Sequence, residues 1–262
     1  MNFNGVRSIQ YDGEIWNSEQ PVPELAKLLA GKDCLISLAY SDPPYQVTLG
    51  APHHAVIGAK QICERRLDEM NQPYPRDADE NAALFAMAAF TALKERRIPC
   101  KLVIMAHATD HDPNKIPDSP YCREALGEET RLLFECHGSG VSRRLPLELS
   151  AGSNHLVRTL RFGRALASAL GYRFEVGVQE RAEKREAIIL RPDGDCEKGS
   201  LELAAKYTAS LIEAEKQEIP ALHLEAKPVF RKAPDRSSRL TPEGQLLGRA
   251  IAHAVIQYFS VV

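Results

Sequence analysis

The sequence predicts an α/β fold in one domain. Three observations carry that reading. Short apolar runs alternate with longer helical patterns along the chain. No linker long enough to divide the chain into separate domains interrupts them. The 262 residues suffice to bury a substantial core.

The elements follow in order. CLISLAY (34–40) and YQVTLGAP (45–52) read as early strands, separated by the turn signal Ser41-Asp42-Pro43-Pro44. Residues 79–95 are strong helix formers with apolar residues at helical spacing, and Asp77 or Asp79 is placed to cap that helix. KLVIMAHA (101–108) reads as a buried strand, followed by a polar loop. A charged helical stretch near 121–131 leads to RLLFECHGSG (131–140), a strand ending in a glycine-flanked turn. Residues 155–171 form a basic amphipathic helix with Gly171 in the position after its end. YRFEVGVQ (172–179) and EAIILRP (186–192) are further strands, and the stretch 175–200 reads either as a hairpin over the site or as a surface feature. Residues 200–218 are helical and 221–230 a strand. The last helix opens with Thr241 as N-cap and Pro242 in its first turn.

Composition excludes several classes. Net charge is −2, so no global field draws in nucleic acid or an anionic membrane. The basic stretch 158–164 reads as a solvated helix face rather than an RNA-binding surface. No stretch approaches the roughly 18 uninterrupted apolar residues of a membrane span. The N-terminal segment has no apolar h-region, so a signal peptide is not expected. Cys34, Cys63, Cys100, Cys122, Cys136 and Cys196 form no CxxC pair and read as reduced thiols of a cytoplasmic protein.

Ligands of open α/β sheets gather beyond the carboxyl ends of strands. Three predicted strand ends carry reactive groups: LGAPHH with His53 and His54, FECHGSG with His137, and LHLEAKP with His223 and Glu225. Between the first two lies the acidic cluster Asp77, Asp79 and Glu80. Two histidines and one carboxylate make a set that leaves a position on zinc for water. Alternation along a strand lets one of His53 and His54 face such a site. Each piece also has a plain reading. A lone strand-end histidine is often a satisfied core residue, and the acidic cluster can simply favour the positive end of a helix. Glu225 is harder to dismiss, because a carboxylate in an apolar strand is costly unless paired or metal-bound.

The order of these pieces resembles the N-formylglutamate amidohydrolase family, which is related to the zinc carboxypeptidases. The matching segments are Pro52-His53-His54-Ala55, Asp77-Ala78-Asp79-Glu80-Asn81-Ala82, Asp112-Pro113-Asn114-Lys115, Glu135-Cys136-His137-Gly138 and Leu222-His223-Leu224-Glu225. The resemblance covers roughly residues 45 to 230. It implies a three-layer α/β/α fold with a mixed, largely parallel central sheet, like that of zinc carboxypeptidases. It implies one Zn2+ per chain on His53, His137 and either Asp79 or Glu80. Iron or manganese also suits such donors. It implies Glu225 as the general base, and Asn114 and Lys115 as groups that orient the substrate. The expected reaction is cleavage of an amide in an N-acyl amino acid or similar small acidic molecule. A non-catalytic small-ligand-binding module is the alternative.

Two positions depart from the family. Its arginine after Asp-x-Asn is Lys115, a point charge in place of a two-pronged grip on a carboxylate. Its serine after the second histidine is Gly138, with Gly140 beyond. Arg143 or Arg144, past that turn, reads as a plain surface residue, with help to an oxyanion as the alternative.

Overall fold

A computed structural model describes residues 5–59, 61–63, 74–76, 79–109, 111–127, 129–138, 147–151, 156–180, 184–192 and 208–260. Its strands are β1 (Arg7–Gln10), β2 (Trp16–Asn17), β3 (Gln20–Pro21), β4 (Cys34–Tyr40), β5 (Val47–Ala55), β6 (Gln61–Cys63), β7 (Tyr74–Arg76), β8 (Asp79–Glu80), β9 (Cys100–Ala106), β10 (Leu133–Gly138), β11 (Leu147–Ser150), β12 (Tyr172–Glu180), β13 (Lys184–Pro192) and β14 (Ala221–Ala226). Its helices are α1 (Pro23–Leu29), α2 (Ala82–Glu95), α3 (Pro120–Ala125), α4 (Leu156–Leu170), α5 (Ala209–Lys216) and α6 (Pro242–Phe259).

Ten strands form one sheet in the order β1-β4-β9-β5-β10-β14-β11-β13-β12, with β8 added beside β5. The central run β9-β5-β10-β14 is parallel throughout. Antiparallel pairing enters where β4 meets β9 and from β14 outward through β11, β13 and β12. The sheet is thus mixed, with a parallel centre.

Period-two alternation sends neighbouring strand residues to two cores. Ile36, Leu102, Ile104, Phe134 and Leu224 belong to the cluster that includes α2, α4 and α6 residues. Leu35, Val103, Met105 and Leu133 belong to the cluster that includes Tyr121 and Cys122 of α3 and Leu211 of α5. Helices therefore cover both faces, which is the expected three-layer arrangement. Helix α2 is alanine-rich and buried on nearly every side, as a helix held between a sheet and α6 must be.

Several sequence expectations need adjustment. The helix expected from 79 begins at Ala82. Asp79 and Glu80 instead pair in parallel with His54 and Ala55 of β5. Asn81 occupies the N-cap with a left-handed φ of 59° and no side-chain cap, so the carboxylate of Asp79 is released from capping. The helix expected near 121–131 stops at Ala125, and the described portion of the helix expected at 200–218 is Ala209–Lys216. The strand expected to reach 230 ends at Ala226 and gives way to a 3-10 turn at Pro228–Phe230. Sequence pattern gave no sign of the N-terminal elements β1 to α1.

The ends of the later helices follow expectation. Gly171 has a φ of +67° directly after α4, and the Thr241 hydroxyl accepts from the Gly244 amide at the start of α6. Cys34, Cys100, Cys122 and Cys136 are free and buried. Among the described residues no helix is long and apolar enough to cross a membrane.

Candidate metal centre

The site lies at the carboxyl ends of β5, β10 and β14. Register builds most of it. Glu135 stands beside His223, and His137 beside Glu225. Alternation then turns all four side chains to one face. Gly50 of β5 stands on the other side of Glu135.

On β5 the pairing to β9 shifts register between Ala51 and His54. Such a bulge re-aims side chains at a strand end. His53 and His54 diverge accordingly. His53 is partly exposed and faces Asp79 and Asp112. His54 is buried, and its Nδ1 accepts the Ala83 amide at the start of α2. Burial, helped by nearby His107, holds the His54 pKa down at about 3, which suits a neutral acceptor.

His53, Asp79 and His137 each present one donor atom, all within 4.8 Å of one another. Asp79 Oδ2 is 3.1 Å from His137 Nδ1 and 3.5 Å from His53 Nδ1. Donors held about 2.1 Å from zinc at tetrahedral angles stand about 3.4 Å apart, so the spacing fits a divalent ion. Asp112 Oδ1 meets His53 Nε2 at 3.0 Å, behind the donor atom, where an orienting carboxylate belongs. Burial works to raise the Asp79 pKa, but the two histidines outweigh it and hold the carboxyl well below its usual range. Burial also disfavours charge on His137. Asp79 and Glu135 overcome it and raise the His137 pKa to about 10.

Glu80, the alternative third ligand, does not join this cluster. Neighbouring strand residues point opposite ways. Its carboxylate accepts the Gly58 amide at 2.6 Å and pairs with Lys232. Glu225 lies at the cluster's edge, its Oε1 2.9 Å from His223 Nε2. Asn114 is buried. Its Nδ2 stands 3.3 Å from His137 Nε2, and its Oδ1 accepts from the Ser210 hydroxyl. The Asn114 amide therefore props the His137 ring. Lys115 next to it is exposed, with no side-chain contact to the cluster among the described residues. Asp77, Gly140, Arg143 and Arg144 lie outside the described residues. Of the stretch 175–200, residues 175–180 and 184–192 pair antiparallel as the hairpin strands β12 and β13 at the edge of the sheet, and 181–183 and 193–200 lie outside the described residues.

Several participants carry no assigned role in the sequence reading, Asp112 among them. Glu135 is fully buried and takes a 2.8 Å hydrogen bond from the Tyr121 hydroxyl. Gly50 admits that hydroxyl, since a Cβ there would lie 2.1 Å from it. His223 stacks on His137 with ring centroids 3.9 Å apart. The signal was present as Glu135-x-His137 beside His223-x-Glu225, a mirrored pair of period-two patterns. Arg231, also buried, donates to the carbonyls of Glu80 and Ala226. Its guanidinium lies against Gly138, where a Cβ would stand 2.6 Å from it. A side chain at position 138 would have to displace that guanidinium.

No protein-family model and no curated protein matches the sequence. Solved structures that it resembles include a metallo-carboxypeptidase from Burkholderia cenocepacia (TM-score 0.47, 14% identity, 85% of this chain and 60% of that one). A bacteriophage poly-gamma-glutamate hydrolase gives a TM-score of 0.45 at 10% identity, over 87% of this chain and 91% of that one. The apo form of an N-acetylmuramyl-L-alanine amidase from Mycobacterium abscessus gives 0.38 at 15% identity, over 82% and 98%. The chain spans about 60% of the length of the carboxypeptidase.

Proposed function

We propose that this chain is a cytoplasmic, single-domain, zinc-dependent hydrolase that cleaves the amide bond of an N-acyl amino acid or a similar small acidic amide. The observation that carries the reading is the convergence of His53, Asp79 and His137, with Glu225 beside them. A cation held by the three donors would supply Lewis acidity at the scissile carbonyl and make water a better nucleophile. Glu225 would accept the proton of the attacking water and return it to the departing amine. His223 holds one oxygen of Glu225, leaving the other to handle that proton. Asp112 fixes the His53 ring and Asn114 the His137 ring, so the donors need little rearrangement. Lys115, exposed beside Asn114, would attract a substrate carboxylate rather than grip it.

The test is elemental mass spectrometry of the purified chain, paired with an assay of amine release from a panel of N-acyl amino acids. Zinc together with turnover of an acidic N-acyl amino acid is the expected result. A zinc-loaded chain that hydrolyses none of the panel would sink the reading. It would favour the second one, a non-catalytic binding module, which the engagement of Glu225 by His223 also suits.

A further inference from the structure

We propose that Glu135, His137 and His223 form a divalent-metal site of their own, sharing His137 with the trio of His53, Asp79 and His137. The three residues offer donor atoms within 4.8 Å of one another, and all three are buried. Glu135 Oε2 is 3.6 Å from His137 Nε2 and 3.6 Å from His223 Nδ1. Those separations are too long for hydrogen bonds. They match the roughly 3.4 Å edge of a tetrahedral zinc shell. Glu135 Oε2 and His223 Nδ1 are each buried without a hydrogen-bond partner among the described residues. Buried polar atoms in that condition call for an ion or a water.

The surrounding contacts are those of a ligand set. A metal-binding side chain is usually fixed through its other polar atom. Glu135 is held at Oε1 by the Tyr121 hydroxyl. His223 is held at Nε2 by Glu225. His137 meets Asp79 through Nδ1, and its Nε2 faces both Glu135 and the Asn114 amide, so a cation there would take the place of the Asn114 contact.

Charge balance points the same way. Glu135 is fully buried, and the ring of His223 lies between it and Glu225. A cation among these donors would compensate carboxylate charge whose burial is otherwise costly.

This inference goes beyond the proposed activity and shares with it the ligand His137. The test is zinc stoichiometry after incubation with zinc and desalting, read by elemental mass spectrometry. Two equivalents are expected in the unmodified chain. A His53→Ala, Asp79→Asn double variant should keep one, and adding His223→Gln should remove it. That pattern tests the second trio whether or not the first one is catalytic. The complementary arm reads the first site. His223→Gln alone should keep one equivalent, lost when His53→Ala is added. Cobalt(II) titration of the unmodified chain needs no variant and should show two successive equivalents by visible absorption. A single equivalent in the unmodified chain, lost in the double variant, overturns the proposal.

Discussion

The two faces of the central sheet are built to different rules. On the face shared with α2, α4 and α6, Phe134, Cys136, Leu222, Leu224 and Ala226 continue an apolar core. On the face shared with α3 and α5, the alternate positions of the same strands run from Leu133 to Glu135 and His137, and from Ala221 to His223 and Glu225. One residue of offset separates a packed interior from a block of buried titratable groups. The apolar face is stabilised by area removed from water and tolerates little loss of volume. The polar face carries carboxylates and imidazoles whose burial is costly unless they satisfy one another or a metal. The first face carries the packing, and the second carries the groups on which the proposed chemistry rests.

The sharpest break in that comparison is His137→Ala. It removes the ligand common to both trios and should abolish metal retention and turnover, both measurable on one preparation. Glu225→Gln comes next. Under the proposed mechanism, metal content stays and turnover falls by about two to four orders of magnitude. A fully active Glu225→Gln protein would remove the general base from the scheme.

On the apolar face, Phe134→Ala deletes a fully buried ring that stacks on Phe162 with centroids 5.1 Å apart. It should cost about 3–5 kcal/mol in chemical denaturation while the folded protein still holds its metal. Metal loss without destabilisation would mean that the two faces are not separable. Gly138→Ser forces a Cβ against the Arg231 guanidinium and should cost about 1–3 kcal/mol, read as a lower denaturation midpoint. The smallest effect is expected from Glu80→Gln. Its pair with Lys232 is partly solvated, so stability should change by about 1 kcal/mol or less, with metal retained. Asp79→Asn, one residue away, should lose the first metal, and measuring the two variants side by side tests the alternation directly.

The sequence by itself determined the α/β class, because hydrophobic period and helix-end chemistry are local. Thr241, Pro242 and Gly171 act within a turn of their own positions, and the structure follows them. The strand ends holding His53, His137, His223 and Glu225 were legible for the same reason. Tertiary structure decided what local pattern left open. Whether His53 or His54 turns inward depended on a bulge against β9. That Asp79 rather than Glu80 meets the histidines depended on β8 joining β5 instead of opening α2. Glu135 and His223 became neighbours through the register of β10 with β14, two strands far apart in the chain. The space a side chain at Gly138 would take is filled by Arg231, far along the chain. Periodicity assigns each side chain to a face, but which faces meet, and at what register, is set by long-range pairing and packing that no local pattern encodes.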